Sequence, residues 1–195
     1  MEDCIIERMY NNIQPGNVIR LYHLSMKYLV FILFLATLCS CKSQKAHDFN
    51  TLLDSAERKV FRILVADSME SSRLEALIAK KPALALSIGQ KQHLELSKVI
   101  KEIDRTDVGD LQDGKPLKEA SIKYYEALLK LKDVDILEAQ LMAITLQGDT
   151  ARARKAQTDI SNLAYKRQEL HKVISTNDQA NYQAKSKFEK ANSIR

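Results

Sequence analysis

Residues 116–150 read PLKEASIKYYEALLKLKDVDILEAQLMAITLQGDT. Proline lacks an amide proton and suits the first turn of a helix, so Pro116 opens one. Leu117, Ala120, Tyr124, Leu128, Leu131, Leu137, Leu141 and Ile144 then recur mostly at three- and four-residue steps, the spacing of one helical face. Lys132-Asp133 marks a possible bend in this run. In Gln147-Gly148-Asp149-Thr150 the glycine ends one helix, and Asp149 or Thr150 caps the next.

Working outward, the same periodicity predicts a last helix over Ala151–Ala191, with Ala156, Ile160, Leu163, Leu170, Val173, Ile174, Ala184 and Phe188 on its inner face. At 1.5 Å per residue this helix is about 60 Å long. Past Asn177 large apolar residues thin out, so this end is expected to project or fray. Towards the N-terminus, Arg105–Lys115 reads as the longest loop, and Pro82–Asp104 as a helix with Leu84, Ile88, Leu96, Val99, Ile100 and Ile103 inward. Gly89 is its weak point. Asp48–Lys80 reads as one long helix carrying Phe49, Leu53, Ala56, Val60, Ile63 and Leu64, with a kink or break at Ser71-Ser72. Lys42–Ala46 reads as a short polar tether. Short links between long helices imply antiparallel neighbours. The expected fold is all-α: an elongated up-and-down antiparallel bundle of about four long helices, with its domain over residues 47–195.

Upstream of the bundle lies Met26–Cys41, MKYLVFILFLATLCSC. One lysine, an apolar run of about eleven residues and a small-residue cleavage region have the order of a secretory signal peptide. A membrane-spanning helix needs about twenty residues, so the run reads as a removed signal over residues 26–40. Leu38-Cys39-Ser40-Cys41 resembles the lipobox of bacterial lipoproteins: leucine, a variable residue, a small residue, then cysteine. The resemblance implies cleavage between Ser40 and Cys41 and covalent lipid on Cys41, which would hold the chain on the membrane. In the family's sorting rules, aspartate after the lipidated cysteine favours the inner membrane. Lys42 stands there instead, and residues 42–45 are free of acidic groups. Placement in the outer membrane of a Gram-negative bacterium, facing the periplasm, is implied. Because signal peptides are N-terminal, translation is expected to start at Met26, with residues 1–25 a start-site artefact or a disordered leader.

Removing forty residues from 195 leaves a mature chain of 155, one ordinary domain. Of the cysteines Cys4, Cys39 and Cys41, only the last would remain, lipidated, which excludes a disulfide and a cysteine metal site in the mature chain. The formal charge of +5 is concentrated at the C-terminal end: residues 151–195 hold ten Lys or Arg against four Asp or Glu. Lys185, Lys187 and Lys190 are candidates for a surface facing an anionic partner, weighed against an ordinary solvated face. Nucleic acid is disfavoured for an exported chain whose stacking aromatics are few and scattered in that helix.

The histidines and carboxylates lack the spacing of catalytic or metal motifs. The residues three before His47, His93 and His171 are Gln44, Gln90 and Gln168, which are poor ligands compared with the carboxylates of di-metal bundles. Asp104, Asp107, Asp110 and Asp113 recur every third residue, unlike the alternation of a calcium loop, and read as turn and cap residues. No nucleophile elbow, phosphate-binding glycine loop or His-Glu-x-x-His occurs. Tyr124-Tyr125 reads as half core and half surface rather than as a ligand platform. No catalytic, metal or cofactor residues are assigned. The expected function is that of a non-enzymatic, lipid-anchored envelope protein that binds or scaffolds another envelope protein; the alternative is a periplasmic chaperone-like binder of client proteins.

Overall fold

In a computed structural model the described residues are 43–66, 68–148 and 150–194. Met1–Ser25 and Met26–Cys41, with the expected cleavage and lipidation site at Ser40 and Cys41, lie outside them. The fold is an all-α bundle, with no strand among the described residues. Helix α1 covers 43–61 and continues into a π-helical turn, Arg62–Ala66. Helices α2 (Met69–Ile78), α3 (Pro82–Arg105), α4 (Gly114–Thr145) and α5 (Thr150–Ala191) follow. The main packing runs from α2 to α3, α3 to α4 and α4 to α5. The compact unit starts at Lys45. None of the described helices is long and apolar enough to cross a membrane.

The single first helix expected over Asp48–Lys80 is two helices. The π turn widens the backbone over Arg62–Ala66, and Ser68 adopts left-handed backbone geometry (φ 54°). The break therefore falls ahead of Ser71-Ser72, which are helical. The α2–α3 turn closes through Lys80 (φ 55°): the amide of Lys81 donates to the carbonyl of Ala76 at 2.8 Å and that of Lys80 to Leu77 at 3.0 Å. These two bonds satisfy carbonyls at the end of α2 before Pro82 starts α3.

Two clusters fill the interior. The larger one gathers Phe49, Leu53, Ala56 and Val60 of α1, Leu96, Val99 and Ile103 of α3, Leu117, Tyr125 and Leu128 of α4, and Phe188 of α5. Phe49 and Phe188 meet edge to face, with centroids 5.6 Å apart and planes at 87°. The C-terminal end of α5, expected to project or fray, is thus docked. Lys185 pairs with Asp54 at 2.5 Å, Ser121 Oγ donates to Asn181 at 2.8 Å, and Asn192 Nδ2 donates to the carbonyl of Gln112 at 2.8 Å. Few large apolar residues are needed there because one phenylalanine and several polar side chains make the contact.

The smaller cluster packs Ala76 and Leu77 against Ala85 and Ala139, with Leu86 and Met142 at its edge. Its small residues let the helices approach closely. Gly89 serves the same end: a Cβ there would lie 3.3 Å from Ile136 Cγ1. The buried face of α3 in this half is Ala85, Gly89 and Gln92, while Leu84, expected inside, is exposed.

The α3–α4 loop is pinned at both ends. Val108 and Leu111 are buried, Asp107 accepts from the amide of Gly109 at 3.1 Å, and Lys45 Nζ reaches Asp107 at 3.1 Å and Asp110 at 2.5 Å. Gly114 starts α4 where a Cβ would meet that of Leu111 at 2.9 Å, two residues before Pro116. At the other end of the chain segment, the expected tether Lys42–Ala46 is already helical from residue 43, and Ala46 is buried.

Candidate functional site

Two constellations carry charge or chemistry, and the sequence pattern marked neither. The first is internal. Arg73 of α2 is only 3 % exposed and faces three carboxylates: Glu70 at 2.6 Å, Glu138 at 3.3 Å and Asp135 at 3.5 Å. Lys132, also buried, pairs with Asp135 at 2.7 Å and Glu70 at 2.9 Å. Arg167 of α5 reaches Glu138 at 2.6 Å and Asp135 at 3.1 Å. Three cations and three anions cancel, tying α2, α4 and α5 together.

Burial opposes charge on Glu70, yet hydrogen bonds from Arg73 and Lys132 overcome it and hold its pKa at about 2. For Arg73 and Arg167, burial likewise opposes charge, but the surrounding carboxylates hold both above the ordinary arginine value. Gln92 links this cluster to the π turn: its Nε2 donates to the carbonyl of Ile63 at 3.1 Å and to Glu70 at 3.3 Å. A π turn rearranges backbone pairing, and here a buried amide side chain binds one of the turn's carbonyls. The cluster pairs its charges with one another and clamps the three helices.

The second constellation is open. A groove of about 860 Å³ runs along α1 and the π turn, lined there by Asp54, Glu57, Arg58, Phe61, Arg62 and Val65, with Tyr124 and Tyr125 as its other wall. Phe61 is 58 % and Val65 64 % exposed. A second depression of about 310 Å³ shares Glu57, Tyr124 and Tyr125 and adds Asp178, Tyr182, Lys185 and Glu189 of α5. The two form one surface of mixed charge: Arg58 and Arg62 flank Phe61 and Val65 at one end, and Lys185 sits among carboxylates and tyrosines at the other. The rings of Tyr124 and Tyr125 are 5.1 Å apart and tilted by 51°. Burial raises the hydroxyl pKa of both; Glu57 and Asp178 push the same way.

The expected site residues fall as follows. Lys187 and Lys190 are exposed, but Lys185 is drawn out of any anion-facing surface by Asp54, with Glu57 4.0 Å away. His47 and His171 are exposed, and His93 Nε2 lies 3.1 Å from Asp133. Asp107 and Asp110 serve Lys45. Among the described residues no three His, Cys, Asp or Glu converge as a metal site. Tyr125 is core and Tyr124 half-buried, and both also line the groove.

Helical register places the internal cluster in the core. The buried face of α4 steps through Leu117, Ser121, Tyr125, Leu128, Lys132, Asp135 and Ala139, a regular alternation of three and four. Lys132 and Asp135 occupy core positions by register although they are charged. Gln92 does so on α3, between Gly89 and Leu96. No family model, curated protein or solved structure matches the chain.

Proposed function

We propose that the chain is a lipid-anchored, non-enzymatic helical protein of the bacterial envelope that works by binding another envelope protein. Cys41 carries the lipid, and the helical domain lies close to the periplasmic face of the outer membrane. The observation that carries this reading is Leu38-Cys39-Ser40-Cys41 placed directly behind an eleven-residue apolar run. The groove beside Tyr124 and Tyr125 supports a binding role, since Phe61, Val65 and Tyr182 stand exposed along it beside charged groups of both signs. The most buried ionisable groups, Arg73, Lys132 and Asp135, are consumed in mutual ion pairs, which favours binding over catalysis.

The test is Cys41→Ala in the full chain, expressed in a Gram-negative host. One acyl chain gives marginal anchoring, whereas several hold firmly at about 0.8 kcal/mol per buried methylene. The expected outcome is loss of metabolic fatty-acid labelling, with the variant soluble or left as uncleaved precursor. A variant that matures to the same mass and partitions with membranes as before would remove the anchor from this account.

A further inference from the structure

Helix α3 presents a stripe that the rest of the bundle leaves uncovered. Ser87, Lys91, Leu94, Lys98, Lys101 and Arg105 follow at alternating steps of four and three, and all six are exposed. That spacing sets them on one face of the helix, in a line about 27 Å long. Four of the six are cations, and Leu94, 54 % exposed, stands among them.

The positive charge of this face is not cancelled locally. Its carboxylates are Glu95, Glu102 and Asp104, and each already has a lysine: Lys98 at 2.7 Å, Lys59 at 2.8 Å and Lys118 at 3.9 Å. Lys91, Lys101 and Arg105 are left without an ion-pair partner among the described residues. So is Arg62 of the π turn, which shares with Lys91 a depression of about 590 Å³ beside α3. The exposed residues of α4 alternate in sign instead, as Glu119, Lys123, Glu126, Lys130 and Asp133.

The stripe also ends where the chain enters the bundle. Lys45 bonds Asp107 and Asp110, in the loop directly after Arg105. Cys41 precedes Lys45 by four residues, a reach of at most about 15 Å. A bilayer that holds Cys41 therefore lies within reach of the Arg105 end of α3. Laying the helix along that bilayer brings down Lys101, Lys98 and Lys91 in turn.

We propose that the domain rests on an anionic bilayer through this stripe, with Lys91, Lys101 and Arg105 against acidic headgroups and Leu94 at their boundary with the acyl chains. Basic side chains gain from the negative potential of such a surface, and their aliphatic stems tolerate its edge. Anchoring keeps the stripe at high local concentration, so weak individual contacts suffice. The proposal takes its location from the anchored reading above and adds an orientation to it.

The chain contains no tryptophan. Leu94→Trp in the full chain therefore places a single reporter in the stripe, and Tyr165→Trp places one on α5, where Tyr165 is 74 % exposed. Each protein is reconstituted from mild detergent into brominated phosphatidylcholine vesicles, with or without phosphatidylglycerol. Quenching by the bromines reads contact with the bilayer. The expected result is that Leu94→Trp is quenched at least about threefold more when phosphatidylglycerol is present, and that salt well above about 0.15 M removes the difference. Tyr165→Trp is quenched in neither. K91E combined with K101E abolishes the extra quenching of Leu94→Trp. Both lysines are exposed and outside every ion pair, so the fold survives, which circular dichroism checks. Quenching of Leu94→Trp that ignores phosphatidylglycerol, or ignores K91E/K101E, or is matched by Tyr165→Trp, overturns the proposal. So does an emission change with polyglutamate in the absence of quenching by lipid, which would assign the stripe to an acidic polypeptide. Fatty-acid labelling of the same preparations reads the anchor on its own: an unlabelled chain still quenched at Leu94→Trp by anionic vesicles keeps the stripe and loses the anchor.

Discussion

The half of the bundle around Phe49 and Phe188 and the half around Arg73 and Lys132 share helices α3, α4 and α5, yet opposite chemistry holds them together. In the first, phenylalanines and leucines from four helices exclude water. In the second, alanines and a glycine bring the backbones close, and six charged side chains fill what remains. The comparison bears on function as well as stability. The charged half pairs its charges internally, whereas the apolar half leaves Phe61, Val65, Tyr182 and Glu57 exposed.

The sharpest way to break this comparison is to remove one charge from the clamp. Arg73→Leu leaves Glu70, Asp135 and Glu138 with less positive charge than they need, in a place water reaches poorly. Breaking a buried ion pair in this way costs about 3–5 kcal/mol, a large share of the stability of a small domain. Chemical denaturation should show the midpoint falling accordingly, with the slope unchanged.

The apolar half should respond to polarity rather than to charge balance. Leu128→Asn places an unsatisfied amide among the buried neighbours of this half and should cost about 2–4 kcal/mol, as should Leu163→Asn, which is buried one turn before Arg167 on the side of the charged half. Asparagine at Lys123 or Lys166, both exposed, should change stability by less than about 0.5 kcal/mol. Equal effects at the two kinds of site would mean that the helix faces are misassigned.

Acid should separate the halves more gently. Glu70 is held at about 2, below its ordinary 4.5. A carboxylate whose pKa is depressed by folding binds its proton more readily when unfolded, so its contribution is present in full above pH 4.5. It is lost as pH falls from 4.5 towards 2. The loss is on the order of 2–3 kcal/mol. Unfolding midpoints across that window should fall for the native chain. Glu70→Gln should be less stable at neutral pH and show a shallower decline.

These expectations also indicate how far the residues themselves disclose the structure. Although α4 begins at Gly114, ahead of Pro116, and ends at Thr145, ahead of Gly148, the Pro82 start of α3 and the left-handed turn at Gly148 follow from local chemistry, because proline and glycine act on their own backbone. The π turn does not, since Arg62–Ala66 is as helical in composition as its flanks, and its carbonyl partner, Gln92, lies 29 residues away. The docking of α5 was hidden for a similar reason: one Phe188 and a few amides replace a stripe of leucines. Lys132 and Asp135 are charged, so residue type alone does not mark them as core. By register they continue the stripe from Leu117 to Leu128 without a gap. The groove arises between α1, α4 and α5, so its residues share no pattern along the chain.

A double-mutant cycle on Arg73 and Asp135, read as unfolding free energies, tests the central claim most directly. Removing both side chains leaves Glu70 with Lys132 at 2.9 Å and Glu138 with Arg167 at 2.6 Å, so charge stays balanced. If the six groups form one neutral clamp, Arg73→Leu and Asp135→Leu should each be strongly destabilising. The double variant should then recover most of the loss, with a coupling of at least about 2 kcal/mol. Losses that simply add would contradict the clamp and mean that the charged half is held by its alanines alone.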